Sequence, residues 1–249
     1  MKFDKDPDAF LQPTRYCDCD HPTIGQLAHD VVSSHVSEKE KAEALFYWVK
    51  ENVRFEFGPW GVKTSEVLKT RGGMCTTKAN LLVALLRAAK IPAGYVILKV
   101  NTKEFYRELM CPSFGKLVSP HTTHVCVGVV LDGDWLLCDP SVDNELNKAL
   151  RKTTPFAEMT GFNISEKEIE TIEGILTKTE FLANIDEDLD KLPKNSKGTT
   201  LEVLNSYLEF LRESRDLETL SACQMEENFL DWLSKRNSPY FPIMKQLSS

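Results

Sequence analysis

Residues 71–95 read RGGMCTTKANLLVALLRAAKIPAGY, and this stretch carries the strongest structural signal in the chain. Two glycines precede Cys75, and the mostly apolar residues that follow as far as Lys90 predict a helix buried on most of its sides. Pro92 prevents that helix from continuing, and residues 94–100 predict a strand. Cys75 therefore begins a buried helix, where unpaired backbone N–H groups and the helix dipole stabilise a thiolate.

Helical signals also precede this stretch. Apolar residues at three- and four-residue steps predict a helix within residues 23–36, and Ser37 with Glu40 forms a capping box that predicts the start of a second helix. Residues 63–70 predict a short helical segment. Gly72–Gly73 are expected to end it, because glycine tolerates the backbone geometry of tight turns.

A β-hairpin is predicted where the runs HTTHVCVGVV and WLLCDP flank Asp132–Gly133, a dipeptide favoured in two-residue turns. Such a turn pairs Leu131 with Asp134, and counting away from it makes His124 and Asp139 diagonal neighbours on one face of the hairpin. We expect this less apolar face to be accessible. The opposite face of the first strand is entirely apolar.

Cys75, His124 and Asp139 form a candidate catalytic set. An imidazole can deprotonate a thiol, and a carboxylate can fix the tautomer of the imidazole and stabilise the imidazolium, as nucleophilic acyl transfer requires. The structural alternative is a packed core cysteine with a surface His–Asp ion pair. The presence of nucleophile, base and orienting acid together favours catalysis.

The order of these residues resembles the core of the transglutaminase-like superfamily. Its pattern runs from Gly-x-Cys through a helix ending in Leu-Arg-Ala-x-x-Ile-Pro-Ala to a histidine on one strand and Trp-x-x-x-Asp-Pro on the next. The corresponding segments here are Gly73–Cys75, Leu86–Ala93, His124 and Trp135–Pro140. The resemblance covers roughly residues 44–143, and it implies an α+β, papain-like scaffold in which the cysteine helix packs against an antiparallel sheet.

The resemblance also implies roles for individual residues. Cys75 would be the nucleophile, His124 the general base and acid, and Asp139 the residue that orients the histidine, with no metal or organic cofactor. Trp60 is a candidate oxyanion donor through its indole N–H. Thr76 stands where calcium-dependent crosslinking transglutaminases carry a tryptophan, so protein crosslinking is not implied.

The predicted function is cysteine-dependent acyl transfer from an amide, ester or thioester through a thioester acyl-enzyme. Amidases, peptidases and acyltransferases of natural-product biosynthesis all use this chemistry. The acceptor is water, an amine or another nucleophile, and an acyl or peptidyl carrier protein is a candidate partner. The alternative is a catalytically inactive binding module that keeps the fold.

A long insertion is predicted over residues 101–120, between the strand that follows the cysteine helix and the strand of His124. Loops tied down near a reactive centre commonly carry specificity. Its apolar side chains are expected to line the acyl-donor pocket. These candidate pocket residues are Phe105, Tyr106, Met110 and Phe114.

Two parts of the chain are predicted. A transglutaminase-like catalytic core with N-terminal helices is expected over residues 1–152, and a helical C-terminal extension over 153–249. Within the extension, residues 164–176 and 201–220 carry apolar side chains at helical spacing. Residues 186–200 are expected to form a solvated linker.

Composition limits the partners and the compartment. The chain has 249 residues, a net charge of −7 at pH 7 and a pI near 5.4, which argue against nucleic-acid and anionic-membrane partners. The acidic N-terminal residues, the lack of an eighteen-residue apolar run and the odd number of cysteines predict a cytoplasmic protein with reduced thiols.

A zinc-binding interaction protein built on Cys17, Cys19 and His21 is a further alternative. These three residues form one compact cluster without the second ligand pair of a structural zinc site, so packing is favoured over metal binding. His121 is the rival of His124 as catalytic base. Its three-residue offset would turn it to the opposite face of the strand.

Overall fold

The computed structural model describes residues 2–3, 5–107, 110–150, 154–192, 198–214 and 217–248. Within these ranges, none of the helices combines the length and the apolarity needed to cross a membrane.

Four helices build the N-terminal part of the protein: α1 (Pro22–Val32), α2 (Glu38–Asn52), α3 (Thr64–Thr70) and α4 (Cys75–Ala88). They follow a single 3₁₀ turn, Pro7–Phe10. The predicted capping box is present, because Ser37 accepts a hydrogen bond from the backbone N–H of Glu40 and the Glu40 side chain accepts one from that of Ser37. The cysteine helix begins and ends close to the residues that the sequence predicts.

Gly72 and Gly73 differ from the expectation of a tight turn. They form the short strand β2 (Gly72–Gly73), which pairs in parallel with β1 (Arg54–Phe55), and the left-handed residue is Arg71, with φ of 58°. A Cβ atom on Gly73 would lie 2.5 Å from the Thr77 hydroxyl oxygen, and one on Gly72 would lie 2.6 Å from a Glu56 carboxylate oxygen. Gly73 is therefore needed because the Thr77 side chain approaches the backbone closely, whereas the end of the flexible Glu56 side chain could move away from Gly72.

A four-stranded antiparallel sheet forms the centre of the molecule, in the order β5-β4-β3-β6. Its strands are β3 (Ala93–Asn101), β4 (His121–Leu131), β5 (Asp134–Cys138) and β6 (Ile175–Lys178). The hairpin has the predicted register, with Leu131 opposite Asp134 and Val127 opposite Cys138. Asp132 and Gly133 form its turn with φ values of 53° and 79°, as a primed hairpin turn requires.

Strand β4 divides the hydrophobic interior into two clusters. Val125, Val127 and Val129 pack with helices α1 to α4 on one face, whereas Cys126 and Val130 pack on the other face with segments from the second half of the chain. The expectation that this second face is accessible is wrong. It is covered by long-range packing, which the pattern of one hairpin does not reveal.

The second half of the chain supplies most of that cover. Its helices are α6 (Asn144–Leu150), α7 (Pro155–Glu158), α8 (Glu166–Thr171), α9 (Asp186–Lys191), α10 (Gly198–Glu213), α11 (Ala222–Lys235) and α12 (Phe241–Leu247), with a 3₁₀ turn at Leu217–Thr219. β6 lies among them and extends the central sheet, although the sequence predicts a helix as far as residue 176. The predicted boundary at residues 152 and 153 lies outside the described residues, so the division into two parts stays a prediction.

The segment expected to be a solvated linker begins with helix α9, which is attached to the N-terminal region. Asp186 accepts hydrogen bonds from the Thr14 hydroxyl at 3.0 Å and the Arg15 backbone N–H at 2.8 Å. Asp190 accepts one from the Tyr16 hydroxyl at 2.8 Å. The acidic residues of α9 are therefore docking groups, and residues 193–197 of the predicted linker lie outside the described residues.

Candidate active site

Cys75 is the first residue of α4, and its side chain is buried with 5% exposure. The helix start is fixed locally, because the Met74 backbone N–H donates a hydrogen bond to the Thr77 hydroxyl at 2.9 Å. The first backbone N–H groups of a helix have no partner within the helix and favour an anion beside them. The thiol thus lies where a thiolate or an oxyanion is stabilised.

His124 and Asp139 form a fully buried pair. The imidazole Nε2 lies 2.7 Å from a carboxylate oxygen of Asp139, and both side chains are 0% exposed. The other carboxylate oxygen accepts hydrogen bonds from the backbone N–H of Ser141 at 2.9 Å and from its hydroxyl group. These contacts fix the carboxylate and, through it, the orientation of the imidazole ring.

The two partners alter each other's ionisation. Burial lowers the pKa of His124, but the charge and hydrogen bond of Asp139 outweigh burial and leave the His124 pKa well above its ordinary value. Burial raises the pKa of Asp139, whereas the charge and hydrogen bond of His124, together with Ser141, bring the Asp139 pKa below its ordinary value. Both shifts favour an imidazolium–carboxylate ion pair.

The second ring nitrogen of His124 has a different environment. Nδ1 is buried and makes no hydrogen bond within the described part of the chain. The Cys126 sulfur lies within 4.8 Å of the imidazole and of the Asp139 carboxylate, and its interaction with the ring also helps to raise the pKa of His124. Since Asp139 holds Nε2, Nδ1 is the nitrogen that is free to exchange a proton.

Cys126 and Tyr106 are two ionisable side chains near the His124–Asp139 pair. Burial raises the pKa of Cys126 to about 11, and the charges of Asp139, His124 and Cys75 also act on this thiol. Burial likewise raises the pKa of Tyr106, on whose hydroxyl the charges of Cys75, His124 and Asp139 act too. Burial therefore keeps the Cys126 thiol and the Tyr106 hydroxyl neutral beside the His124–Asp139 pair.

The predicted insertion contains helix α5 (Thr102–Tyr106) and a 3₁₀ turn, Pro112–Lys116, and its residues 108–109 lie outside the described residues. Tyr106, Met110 and Phe114 line an apolar cavity of about 120 Å³. Phe105 does not line this cavity. It is fully buried, and its ring lies 5.5 Å from the His124 ring, centroid to centroid.

The remaining sequence candidates lie elsewhere. Trp60 is partly exposed and packs against the apolar cluster on the His124 side of the sheet, so its oxyanion role stays a prediction. Cys17 and Cys19 are packed in the other cluster, whereas His21 is partly exposed and caps α1 by accepting a hydrogen bond from the Thr23 backbone N–H. Among the described residues these three do not converge as metal ligands. His121 is exposed at the beginning of β4.

Lys78 was not singled out from the sequence, although it is the only charged residue between Cys75 and Arg87. Its side chain is fully buried one turn into α4, and its ammonium donates a hydrogen bond to the Val53 carbonyl at 2.5 Å. Burial lowers its pKa to about 7, against the opposing charges of Asp143 and Asp139. A lone lysine in a helix predicted to be buried is the sequence signal that could have identified it.

A cysteine-bearing helix packed on an antiparallel sheet, with a His–Asp pair on neighbouring strands, defines a papain-like α+β fold. The family model of the transglutaminase-like superfamily matches residues 25–140. The resemblance to the transglutaminase-like superfamily seen in the sequence is therefore confirmed over this segment.

Three solved structures are similar to the chain. A candidate cysteine protease from Cytophaga hutchinsonii has 21% identity and a TM-score of 0.45, and the match covers 72% of this chain and 55% of that one. A candidate protease from Parabacteroides distasonis has 14% identity and a TM-score of 0.38, covering 53% and 26%. The periplasmic domain of TgpA from Pseudomonas aeruginosa, bound to ethylmercury, has 20% identity and a TM-score of 0.37, covering 54% and 49%. No curated protein matches the chain.

Proposed function

We propose that the protein is a cysteine-dependent acyl-transfer enzyme in which Cys75 is the nucleophile. The observation that best supports this proposal is the divided role of the His124 imidazole. Asp139 holds Nε2 at 2.7 Å, and Nδ1 is buried without a hydrogen bond in the described chain. A ring oriented through one nitrogen and unpaired at the other is suited to act as a general base.

In the proposed reaction, Nδ1 takes the proton from the Cys75 thiol, and the sulfur attacks the carbonyl carbon of an amide, ester or thioester. The carbonyl π electrons move to oxygen, and backbone N–H groups at the start of α4 stabilise the oxyanion; the Trp60 indole is a further candidate donor. Collapse of this intermediate expels the leaving group, which receives the proton from His124. A thioester on Cys75 remains.

The second half of the reaction releases the acyl group. His124 deprotonates water or an amine, this nucleophile attacks the thioester carbon, and the thiolate leaves and is protonated. Water as acceptor makes the protein an amidase or peptidase, whereas an amine or another acceptor makes it an acyltransferase. A donor carried on an acyl or peptidyl carrier protein belongs to the same proposal.

The proposed compartment is the cytoplasm. All seven cysteines carry free thiols, and reducing compartments keep thiols in this state. A reactive Cys75 with Cys126 as a buried neighbour is compatible with such a compartment.

Intact-protein mass spectrometry after incubation with a panel of amide, ester and thioester donors tests the function. The expected result is a single acyl adduct that Cys75→Ala abolishes. Cys126→Ala is the matched control, because it removes the other thiol beside His124 and should keep the adduct. An adduct that persists in Cys75→Ala, or that is absent with every donor, contradicts the proposal.

A catalytically inactive binding module is the second candidate, and the burial of the site favours it. Cys75 is 5% exposed and His124 is 0% exposed, so substrate must displace side chains to reach the sulfur. The rate of alkylation distinguishes the two functions. A nucleophile paired with His124 should react with iodoacetamide near neutral pH, whereas an inert core thiol should react slowly and only in alkaline solution.

A further inference from the structure

The apolar cavity of about 120 Å³ is built by two distant parts of the chain. The insertion contributes Tyr106, Met110 and Phe114, and helix α10 contributes leucine side chains from successive turns, Leu204, Leu208 and Leu211. No charged side chain borders the cavity among the described residues. Its occupant must therefore be uncharged and mostly hydrocarbon, since an unpaired charge is costly to bury.

Helix α10 is held firmly against the N-terminal part of the protein. The Asn205 side chain accepts a hydrogen bond from the Phe57 backbone N–H at 2.7 Å and donates one to its carbonyl at 3.0 Å. Arg212 is 4% exposed and donates a hydrogen bond to Asp143 at 2.7 Å. These contacts make the α10 side of the cavity a fixed wall.

The cavity lies directly beside the candidate catalytic residues. Tyr106 and Phe156 both line it, with ring centroids 5.0 Å apart. The Phe156 ring in turn lies 5.7 Å from the His124 ring. Phe156 therefore touches both the cavity and the surroundings of His124, so that the cavity lies one side chain away from the proposed base.

The volume limits the size of the group. An apolar cavity of about 150 Å³ holds one benzene molecule, so this slightly smaller cavity suits about six carbon atoms or fewer. Longer chains would fit only if the α10 wall moved.

We propose that this cavity binds the acyl side of the donor, as a short hydrocarbon chain or an apolar amino-acid side chain of about six carbons or fewer. The inference rests on the proposed function, because the Cys75 sulfur must be the atom that is acylated. It adds a substrate class, and it makes α10 a specificity element of the site.

Two series of reagents test this inference. In the first series, the rate of Cys75 alkylation by N-alkyl iodoacetamides with two- to ten-carbon chains measures binding in the apolar cavity without any acyl-transfer step. Acylation by p-nitrophenyl esters forms the second series, with straight-chain acyl groups in one arm and N-acetylated alanine, leucine and phenylalanine in the other. Each methylene that enters the cavity should raise the rate about threefold to fourfold, up to an optimum near six carbons. The preferred arm distinguishes a fatty acyl donor from a peptide-like donor.

Opposite changes at one α10 residue show whether the cavity sets this optimum. Leu208→Ala should move the optimum to longer chains, and Leu208→Phe should move it to shorter ones. Val203→Ala is the matched control, because Val203 is buried in the same helix but does not line the cavity. It should leave the optimum in place.

The outcomes separate this inference from the proposed function. Acylation of Cys75 with no optimum, or with an optimum that neither Leu208 variant moves, overturns the role of the cavity and leaves acyl transfer standing. No acylation by any ester, together with a movable optimum in the iodoacetamide series, overturns the proposed function and supports the apolar site.

Discussion

Replacing Asp139 by asparagine removes the charge opposite His124 and keeps a side chain of similar shape. In the native pair, Nε2 and the carboxylate oxygen are 2.7 Å apart in a fully buried setting. Asparagine can still accept the hydrogen bond from Nε2 through its carbonyl oxygen. The variant therefore tests the charge of Asp139 more than its position.

The size of the effect follows from the geometry. With charge centres about 4 Å apart and an effective dielectric constant of about 20, the pair attracts by about 4 kcal/mol. A barrier increase of about 1.4 kcal/mol slows a reaction tenfold. If the imidazolium loses this stabilisation in the transition state, acylation of Cys75 in Asp139→Asn should slow about 1,000-fold.

The pH dependence of the acylation rate provides a second measurement, because the direction in which it should shift in Asp139→Asn is known. Asp139 raises the pKa of His124 against the effect of burial, so the neutral asparagine should lower that pKa. The imidazolium that protonates the leaving group is then lost at a lower pH. The alkaline limb of the acylation rate should shift towards acid in the variant.

Stopped-flow acylation with a p-nitrophenyl ester, between about pH 5 and pH 10, measures both effects. Ser141→Ala is the matched control, because it removes a hydroxyl donor to Asp139 and keeps the charge, so its rate should fall by no more than about tenfold. An Asp139→Asn rate within tenfold of the native rate, with an unmoved alkaline limb, would refute the reasoning.

Three further predictions concern stability, measured by denaturant unfolding. Gly73→Ala should destabilise the protein by about 1–3 kcal/mol, because the new Cβ would lie 2.5 Å from the hydroxyl oxygen of Thr77, which caps α4. Gly58→Ala is the control and should change the stability little, since open space surrounds Gly58. Equal losses in the two variants would contradict this prediction. Burial lowers the pKa of Lys78 to about 7 in the folded protein, so the unfolded chain binds more protons above pH 7. The free energy of unfolding of the native protein should therefore rise with pH above 7 relative to that of Lys78→Met. Parallel curves of unfolding free energy against pH would disprove the shift. Arg212→Leu should lower the free energy of unfolding by about 3–5 kcal/mol, because the buried carboxylate of Asp143 loses its positive partner. Adding Asp143→Asn should recover part of this loss. If the effects of the two substitutions simply added, the pairing would be ruled out.

Local chemistry explains why much of the site could be predicted from sequence. A two-residue turn fixes the hairpin register, so Asp132–Gly133 alone makes His124 and Asp139 neighbours. The start of α4 is equally local, because Pro92 and the apolar residues after Cys75 define one buried helix. The fold class and the relation between the His–Asp pair and the hairpin therefore follow from segments of about twenty residues each.

The burial of His124 could not be predicted in this way. Phe105 and Phe156 cover its ring, and they come from separate segments whose contact with β4 depends on the whole fold. Strand β6 is a similar case, since an edge strand that pairs only with β3 has weak local signals. Propensity and periodicity describe neighbours in sequence, whereas these contacts are made by chain segments far apart.

The aromatic cover of His124 affects both binding and chemistry. By excluding water, Phe105 and Phe156 lower the pKa of the imidazole, and the same low-polarity surroundings strengthen its attraction to Asp139. The attraction is the larger effect, because the His124 pKa ends above its ordinary value. Phe156 also borders the apolar cavity, so a substrate group placed there would pack against a side chain that covers the His124 ring. Phe156 thus contributes both to the low-polarity surroundings of the ion pair and to the lining of the cavity. A substitution of Phe156 should alter the pKa of His124 and the acyl-group preference together.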